Sequence, residues 1–457
     1  MNQDIKNVHF IAIGGSVMSN LAIALHKNGM QITGSDDAIY EPAKSDLTKQ
    51  DILPESIGWD ESKIHEGLDI VILGMHAKED NPELLKSKKL GLEVLSFPEF
   101  IYQQSQNKQR IAICGSHGKT TITAMIVHVL KYWDKPCDYV VGAQIHGAEE
   151  TIKFSDAPII IIEGDEYLTS PIDRTPKFFK YHHHIALISG IAWDHINVFP
   201  TLESYVEQFE KLADVTPKAG SLIYSEEDSM TTMICTKERA DVRSLPYLTH
   251  EHLVRNDKFY LKTENGEIPL KVFGRHNMQN ISGALTVLNR IGITNDQFYE
   301  AIQTFEGTYK RNTLVAKNNT TAVYEDFAHA PSKVLATTRA LKELYPNRNL
   351  IACFELHTFS SLNKEFLGQY RDKLNAADTA IIYFNPDNVS SKGLPDISDD
   401  TIIKSFNRND ILVFKNQENL TNYLSDEVKW ENSNLIFMSS GNFDGLNIKD
   451  FSTQLIK

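Results

Sequence analysis

The segment from Ile111 to Thr121, IAICGSHGKTT, constrains the fold of this chain more than any other feature. It is an apolar run typical of a buried strand, followed by a turn with Gly115 and Gly118 and then by a helical pattern that opens with Lys119 and Thr120. Backbone N–H groups in such a turn and the helix N-terminus attract anions, a Lys neutralises phosphate charge, and a Thr hydroxyl binds Mg²⁺. The segment therefore predicts a strand–turn–helix that binds a triphosphate.

We expect the whole turn to contact the nucleotide. The predicted contacts are Gly115, Ser116, His117, Gly118, Lys119, Thr120 and Thr121. The full phosphate-loop consensus requires a Gly five residues before Gly118, where Ile113 stands instead. The pattern alone therefore leaves an ordinary strand–turn–helix as the alternative.

The length of 457 residues exceeds what one hydrophobic core organises and predicts about three domains. The net charge of −14 disfavours nucleic acid as a partner. The N-terminus lacks a signal-peptide pattern, and no apolar run is long enough for a membrane span, so we expect a cytoplasmic protein without a membrane partner. The four Cys form no CxxC pair and are expected to be reduced thiols.

The first block, residues 1–108, has the βαβ pattern of a nucleotide-binding domain. The turn after its first strand contains Gly14, Gly15 and Ser16, Asp36 follows about twenty residues later, and His76 closes a third strand. Ala12 and Val17 occupy two of the three glycine positions of the dinucleotide fingerprint. A UDP-type nucleotide therefore fits better than NAD, which stays as the alternative.

The second block, residues 109–313, begins at the phosphate loop. A buried strand delivers Glu163 at its carboxyl end, where ligands of parallel sheets bind, so Glu163 is a candidate Mg²⁺ ligand and a solvated acidic turn is the alternative. His195 follows another core strand and is a candidate ligand for a second metal ion. The run His182–His184 suggests zinc, but three adjacent residues alternate across a strand and do not all face one ion.

Asn277 and Asn280 are three residues apart, on one face of a helical segment, and are candidates for reading adenine; a polar helix cap is the alternative.

The third block, residues 314–457, again alternates strand and helix. The whole chain is therefore expected to be α/β.

Several motifs occur together in order: IGGSVMS, GSHGKTT, IEGDEY, WDHINVF, GRHNMQN, KR, EDFAHAP and MSSGNFDG. This set resembles the Mur ligases, the ATP-dependent amide-forming enzymes of peptidoglycan synthesis, over essentially the whole chain. The resemblance implies three α/β domains: a Rossmann-like UDP-sugar domain (1–108), a P-loop ATPase domain (109–313) and a Rossmann-like domain for the amine substrate (314–457).

The resemblance also implies roles for particular residues, with ATP and Mg²⁺ as cofactors. Lys119 would bind the β- and γ-phosphates, and His329 would lie near the incoming amine. Mg²⁺ would be held by Thr120, Glu163 and, at a second ion, His195. Asn280 would contact adenine, with Asn277 beside it. Asp326 would contact the ribose, and Arg311 would contact the transferring phosphate. UDP-N-acetylmuramate would be bound by Gly14, Gly15, Ser16, Asp36 and His76.

Two branches of the family use UDP-N-acetylmuramate as the acid. One adds L-alanine; the other, in peptidoglycan recycling, adds L-alanyl-γ-D-glutamyl-meso-diaminopimelate. The segment Glu163–Tyr167, EGDEY, resembles the tripeptide branch, and we therefore expect the tripeptide as donor, with L-alanine as the alternative. The loop Glu355–Thr358, ELHT, retains neither branch's arginine.

Two other classes of protein remain as alternatives. One is a regulatory nucleotide-binding protein on a retired ligase scaffold, against which Lys119, Glu163, His195 and His329 argue. The other is a dehydrogenase, which would not need GKTT. We expect a monomer or a weak dimer.

Overall fold

The computed structural model describes residues 5–145, 150–194, 196 and 198–457. The chain divides into two compact units, and each is described by itself. The first unit contains Met1–Ile191, Glu203–Tyr247 and Gly283–Phe298, and the second contains Ala192–Leu202, Leu248–Ser282 and Tyr299–Lys457.

The amino-terminal part of the first unit contains a parallel sheet. Its described strands are β1 (Asn7–Ile11), β2 (Gln31–Ser35), β3 (Ile70–Leu73) and β4 (Val94–Ser96), in the order β2-β1-β3-β4. Its helices are α1 (Ser16–Lys27), α2 (Ala43–Lys49), α3 (Pro82–Lys89) and α4 (Phe97–Gln104). β3 is buried along its whole length, as expected for a parallel strand covered on both faces.

A larger sheet follows in the same unit. Its described strands are β5 (Gln109–Cys114), β6 (Asp138–Val140), β7 (Ile152–Lys153), β8 (Ile159–Glu163), β11 (Ile185–Ile188), β12 (Ser221–Ser225) and β13 (Arg243–Tyr247). Beside it lie the hairpin strands β9 (Leu168–Ser170) and β10 (Asp173–Pro176) and the helices α5 (Lys119–Tyr132), α6 (Lys177–Lys180), α7 (Leu202–Asp214) and α8 (Ser229–Cys235). The order is β13-β12-β11-β5-β8-β6-β7, with β7 antiparallel. Since β5 pairs in parallel with β8 and β11, the residues that follow these strands share one edge.

The position of the run His182–His184 corrects one expectation. The strand β11 begins at Ile185, so the three histidines lie in the loop before it instead of alternating across it. The described residues contain no group of three or more His, Cys, Asp or Glu side chains arranged to hold a metal ion.

The second unit contains an antiparallel meander, β14 (His252–Arg255), β15 (Lys258–Thr263) and β16 (Gly266–Pro269). The helix α9 (Arg275–Arg290) follows and ends within the segment assigned to the first unit, and α10 (Asn295–Ile302) begins in that segment and ends in the second unit. α9 begins at Arg275. Asn277 and Asn280 therefore lie in its first two turns.

The carboxy-terminal sheet also belongs to the second unit. Its described strands are β17 (Thr313–Lys317), β18 (Ala322–Asp326), β19 (Asn349–Glu355), β20 (Thr379–Tyr383), β21 (Leu412–Phe414) and β22 (Ser433–Met438), in the order β17-β18-β22-β19-β20-β21 with β17 antiparallel. Its helices are α11 (Pro331–Leu344), α12 (Lys364–Leu367), α13 (Pro386–Ser391), α14 (Asp399–Phe406), α15 (Gln417–Asp426) and α16 (Ile448–Leu455).

These sheets confirm the α/β class expected from the sequence. Within the part of the chain that the structure describes, none of the helices combines the length and apolar character needed to cross a membrane.

Candidate active site

The loop between β5 and α5 has the backbone that phosphate binding requires. Gly115 and Gly118 have φ values of 112° and 73°, in the region that favours glycine. A Cβ atom on Gly115 would lie 2.4 Å from Oγ of Ser189, so a larger residue does not fit there. Gly118 precedes the first residue of the 14-residue helix α5, whose N-terminal N–H groups attract anions.

Lys119, the first residue of α5, is held in place by two contacts. Its Nζ donates to the carbonyl oxygen of Gly115 at 2.8 Å and lies 2.7 Å from Oε2 of Glu166. Burial alone lowers the pKa of a lysine, but the carboxylates of Glu166 and Asp165 outweigh it and raise the pKa of Lys119 above its ordinary value. Lys119 is therefore a fixed cation beside the phosphate loop.

Glu166 connects this lysine to a helix distant in sequence. The carboxylate is buried and accepts a hydrogen bond from the hydroxyl of Tyr205 at 3.0 Å. The same hydroxyl lies 2.8 Å from Oγ of Ser116 in the loop. Glu166 and Tyr205 were not among the predicted site residues. Glu166 belongs to the EGDEY motif, whereas no local pattern marks Tyr205.

Thr120 and Glu163, at the same edge of the sheet, have the oxygen donors of a magnesium site. Oγ1 of Thr120 donates to Oε1 of Glu163 at 2.7 Å, and the N–H of Gly142 donates to Oε2 at 2.7 Å. A hydroxyl and a carboxylate that converge beside a phosphate loop fit Mg²⁺, which prefers hard oxygen ligands and bridges to phosphate.

Asp165 forms an ion pair with Lys177. Its Oδ2 lies 2.7 Å from Nζ of Lys177, the first residue of α6. Burial raises the pKa of a carboxyl, but the cations of Lys177 and Lys119 outweigh it and hold the pKa of Asp165 well below its ordinary value. Asp165 therefore fixes the loop after β8 and remains ionised.

The predicted UDP-sugar residues lie around the turn after β1. Asp36 is buried, and its Oδ2 accepts a hydrogen bond from the N–H of Gly14 at 2.6 Å. Burial raises the pKa of Asp36. A Cβ on Gly15 would lie 3.8 Å from the ring of His76, and Ser16 begins α1. Asp36 thus holds the glycine turn, and its role toward a nucleotide stays a prediction.

In the second unit, the two predicted adenine readers contact each other. Nδ2 of Asn280 donates to Oδ1 of Asn277 at 3.2 Å, and Nδ2 of Asn277 donates to the carbonyl oxygen of Phe273 at 2.9 Å. Both residues are buried. The hydrogen bond from Asn277 to the carbonyl oxygen of Phe273 agrees with the alternative that Asn277 is a polar helix cap. Contact with adenine stays a prediction.

Arg311 and Asp326 lie near the start of the carboxy-terminal sheet. The guanidinium of Arg311 is 5.1 Å from the ring centroid of Phe327. Asp326 accepts hydrogen bonds from the N–H groups of Asn312 and Ala328 at 2.6 and 2.7 Å. Burial raises the pKa of Asp326, and Arg311 opposes this. The carboxylate of Asp326 therefore already accepts hydrogen bonds from the backbone of neighbouring loops.

His329 follows β18 and is neutral at pH 7. Its Nδ1 lies 2.9 Å from the carbonyl oxygen of Phe327. Burial and the charge of Lys333 lower the pKa of His329 to about 3, with Asp194 opposing them. His195, the predicted ligand of a second metal ion, lies outside the described residues.

The parallel α/β sheets, the phosphate loop and the paired Thr and Glu define the class as an α/β enzyme that uses a nucleoside triphosphate. Residues 7–109 match the family described as "Mur ligase family, catalytic domain", and residues 113–288 match the "Mur ligase middle domain". A UDP-N-acetylmuramate–L-alanine ligase of Caldicellulosiruptor bescii is 31% identical over 82% of each chain. The chain belongs to the Mur ligase family, as the motifs predict.

Other relatives represent both branches of the family considered above. The tripeptide ligase of Haemophilus influenzae, named for L-alanyl-γ-D-glutamyl-meso-2,6-diaminoheptandioate, is 27% identical and covers 74% of this chain and 76% of its own. The structure of the UDP-N-acetylmuramate–alanine ligase MurC from Thermotoga maritima matches with a TM-score of 0.71 at 21% identity, over 96% of each chain. A murein peptide ligase from Psychrobacter arcticus matches with a TM-score of 0.68 at 20% identity, over 98% of each chain.

Membership of the family confirms the enzyme class. The chain is an ATP-dependent, ADP-forming ligase of peptidoglycan synthesis. The two solved structures share its fold, which in this family comprises three domains.

Proposed function

We propose that this enzyme joins UDP-N-acetylmuramate to L-alanine, in the cytoplasm, with ATP and Mg²⁺. The observation that carries the choice of donor is the 31% identical relative, which is named for L-alanine and matches over 82% of both chains. The comparisons favour this donor over the tripeptide expected from EGDEY. The tripeptide remains the second candidate because the relative named for it matches 74% of this chain.

The proposed reaction has two steps. A carboxylate oxygen of UDP-N-acetylmuramate attacks the γ-phosphorus of ATP, ADP leaves, and an acyl phosphate forms. The neutral amine of the donor then attacks the acyl carbon, inorganic phosphate leaves with the electrons of the C–O bond, and the nitrogen loses one proton as the amide forms. Protein groups contribute mainly positioning and charge neutralisation to such steps.

The phosphate loop supplies the first of these contributions. An ammonium group has three N–H donors, and among the described residues Gly115 and Glu166 engage two of those of Lys119. The remaining donor is available to a β- or γ-phosphate oxygen. Thr120 and Glu163 would hold Mg²⁺, which neutralises phosphate charge when bound.

Residues of the second unit supply the proposed remaining roles. Arg311 is proposed to neutralise the transferring phosphate, and Asn280 and Asp326 to contact adenosine. His329, with its pKa lowered to about 3, is neutral at pH 7 but too weak a base to take the proton of the attacking amine, so its proposed role is to orient the amine by accepting a hydrogen bond. His195 is proposed as a ligand of a second metal ion on the family resemblance alone.

An amine panel tests the choice of donor. The purified enzyme is incubated with ATP, Mg²⁺, UDP-N-acetylmuramate and one amine at a time, and the products are identified by mass. L-Alanine is expected to have the highest kcat/KM, at least ~10-fold above the tripeptide, a preference equivalent to about 1.4 kcal/mol of transition-state binding. A higher kcat/KM for the tripeptide would reverse the order of the two candidates. If neither L-alanine nor the tripeptide supports phosphate release, both candidate functions are contradicted.

A further inference from the structure

Two adjacent cavities lie at the opposite edge of the central sheet from the phosphate loop. The first, of about 560 Å³, and the second, of about 520 Å³, share His184 and Pro217 in their walls. Both reach the start of β5, whereas the phosphate loop follows its end. The six residues of β5 separate the two edges by roughly 15 Å at the usual rise per residue. The cavities are therefore distinct from the proposed ATP site.

The walls of these cavities are basic although the whole chain carries a net charge of −14. In the described part of the chain, their linings include Arg110, Lys218 and Arg290 but no Asp or Glu. Lys218 and Arg290 are exposed. Lys180 also lines the second cavity, but it is ion-paired with Asp173.

Arg110 is a buried cation whose hydrogen-bond acceptors are carbonyl groups. Its Nε donates to the carbonyl oxygen of His182 at 3.0 Å, and its Nη1 donates to that of Ser105 at 2.8 Å. No carboxylate of the described residues pairs with it. The backbone thus fixes the guanidinium in one orientation while leaving its charge uncompensated at the cavity wall.

Arg110 and His184 together present two converging donors. The backbone N–H of Arg110 donates to Nδ1 of His184 at 3.0 Å, so the neutral ring carries its proton on Nε2. That nitrogen lies 3.5 Å from Nη2 of Arg110, which is also a donor. Two N–H groups do not bond each other, but one anionic oxygen between them accepts from both.

The second cavity adds an acceptor and an apolar wall. His183 is buried, and its Nε2 lies 2.8 Å from Oγ1 of Thr216, which donates onward to Leu212. Its Nδ1 has no hydrogen-bond partner among the described residues. Phe179 and Val215 line the same cavity. A ligand hydroxyl would satisfy Nδ1, and a sugar ring would cover the apolar wall.

We propose that the two cavities form one binding site for a phosphate ester of a sugar or nucleotide, with its phosphate between Arg110 and His184. Lys218 and Arg290 attract the phosphate from solvent, and Nδ1 of His183 accepts a hydrogen bond from a ligand hydroxyl. This site is independent of the proposed choice of amine donor, because it lies at the other edge of the sheet.

Ribose 5-phosphate is a suitable probe, titrated calorimetrically into the full-length enzyme with a non-hydrolysable ATP analogue saturating the phosphate loop. We expect saturable binding that the variant Lys218→Glu/Arg290→Glu weakens at least ~10-fold. The matched control is Lys44→Glu/Lys88→Glu, which makes the same change in net charge at two exposed lysines of the amino-terminal part. We expect the control to bind as the wild type does.

A variant-free measurement follows the histidine side chains by nitrogen NMR. Ribose 5-phosphate is expected to shift the ring resonances of His183 and His184, and ribose without phosphate to leave them unchanged. The proposal is overturned by no saturable binding, or by equal weakening in both charge variants, which would indicate bulk attraction only. Inorganic phosphate binding as tightly as ribose 5-phosphate would overturn the assignment to an ester.

Discussion

Nζ of Lys119 lies 2.7 Å from Oε2 of Glu166, and both side chains are largely withdrawn from solvent. A buried cation with a single carboxylate neighbour at this distance depends on that neighbour, since removal of one partner leaves an uncompensated charge. Glu166 also accepts a hydrogen bond from the hydroxyl of Tyr205. The same hydroxyl lies within hydrogen-bond distance of Oγ of Ser116. The carboxylate therefore stabilises the lysine and the shape of the loop together.

Glu166→Gln is expected to lower the free energy of unfolding by about 1–3 kcal/mol, because Lys119 keeps a hydrogen-bond acceptor but loses its counter-charge. ATP with Mg²⁺ should restore part of the loss, since phosphate supplies negative charge to the same lysine. Urea unfolding with and without nucleotide measures both effects. The control, Glu207→Gln, breaks the exposed ion pair with Lys211, and we expect a change below about 1 kcal/mol. Equal losses in the two variants would contradict the dependence of Lys119 on Glu166.

Lys119→Ala is expected to reduce kcat for ligation on the order of 10²–10³-fold or more, because a preorganised cation at the transferring phosphoryl group is lost. Steady-state phosphate release with both substrates is the measurement, and circular dichroism checks the fold. Lys131→Ala, at the exposed far end of the same helix, is the control and should retain wild-type turnover. Near-normal turnover of Lys119→Ala would remove this residue from the phosphoryl-transfer step.

The strand–turn–helix of the phosphate loop and the place of Glu163 at the end of β8 agree with the sequence because their signals are local, whereas their binding roles stay predictions. Glycines at positive φ, a helix start and the end of an apolar strand are all set by adjacent residues. Thr120 and Glu163 lie close together because the carboxyl ends of parallel strands share one edge.

The parts that sequence reasoning missed depend on contacts between distant segments. Tyr205 reaches a serine 89 positions earlier in the chain, and no local pattern indicates that pairing. The start of α9 at Arg275 has no apolar periodicity to mark it, because its first turns are polar. The expectation that the histidines alternate across a strand does not apply, because β11 begins at Ile185 and the run lies in the loop before it.

The free energy of unfolding should fall as the pH is lowered from about 6.5 to about 4. Burial, reinforced by Arg311, lowers the pKa of His276 to about 4, whereas an unfolded chain titrates near 6.5. Between these values the unfolded state binds more protons than the folded state, so acid favours unfolding; the stabilisation is present above about 6.5 and lost by about 4. One such residue contributes at most about 3 kcal/mol.

His276→Gln isolates this contribution. The variant is expected to flatten the dependence of unfolding free energy on pH between about 6.5 and 4, measured by urea unfolding at several pH values. The remaining slope is expected from His183 and His329, whose pKa values burial also lowers. The exposed His65→Gln serves as control and should leave the slope unchanged. An unaltered slope in His276→Gln would show that this ring is protonated in both states or in neither.

Glu163→Gln tests whether this carboxylate is the magnesium ligand. The amide oxygen can accept from the N–H of Gly142 while its NH2 donates to the hydroxyl of Thr120, so the loop should keep its shape while the charge that attracts the cation is lost. We expect the Mg²⁺ concentration for half-maximal activity to rise at least ~10-fold, about 1.4 kcal/mol of binding free energy, with activity recovering at high Mg²⁺. Asp165→Asn is the matched control, because that carboxylate pairs with Lys177 and should not change the Mg²⁺ dependence. A shifted dependence in Asp165→Asn, together with a wild-type dependence in Glu163→Gln, would transfer the ligand role to Asp165.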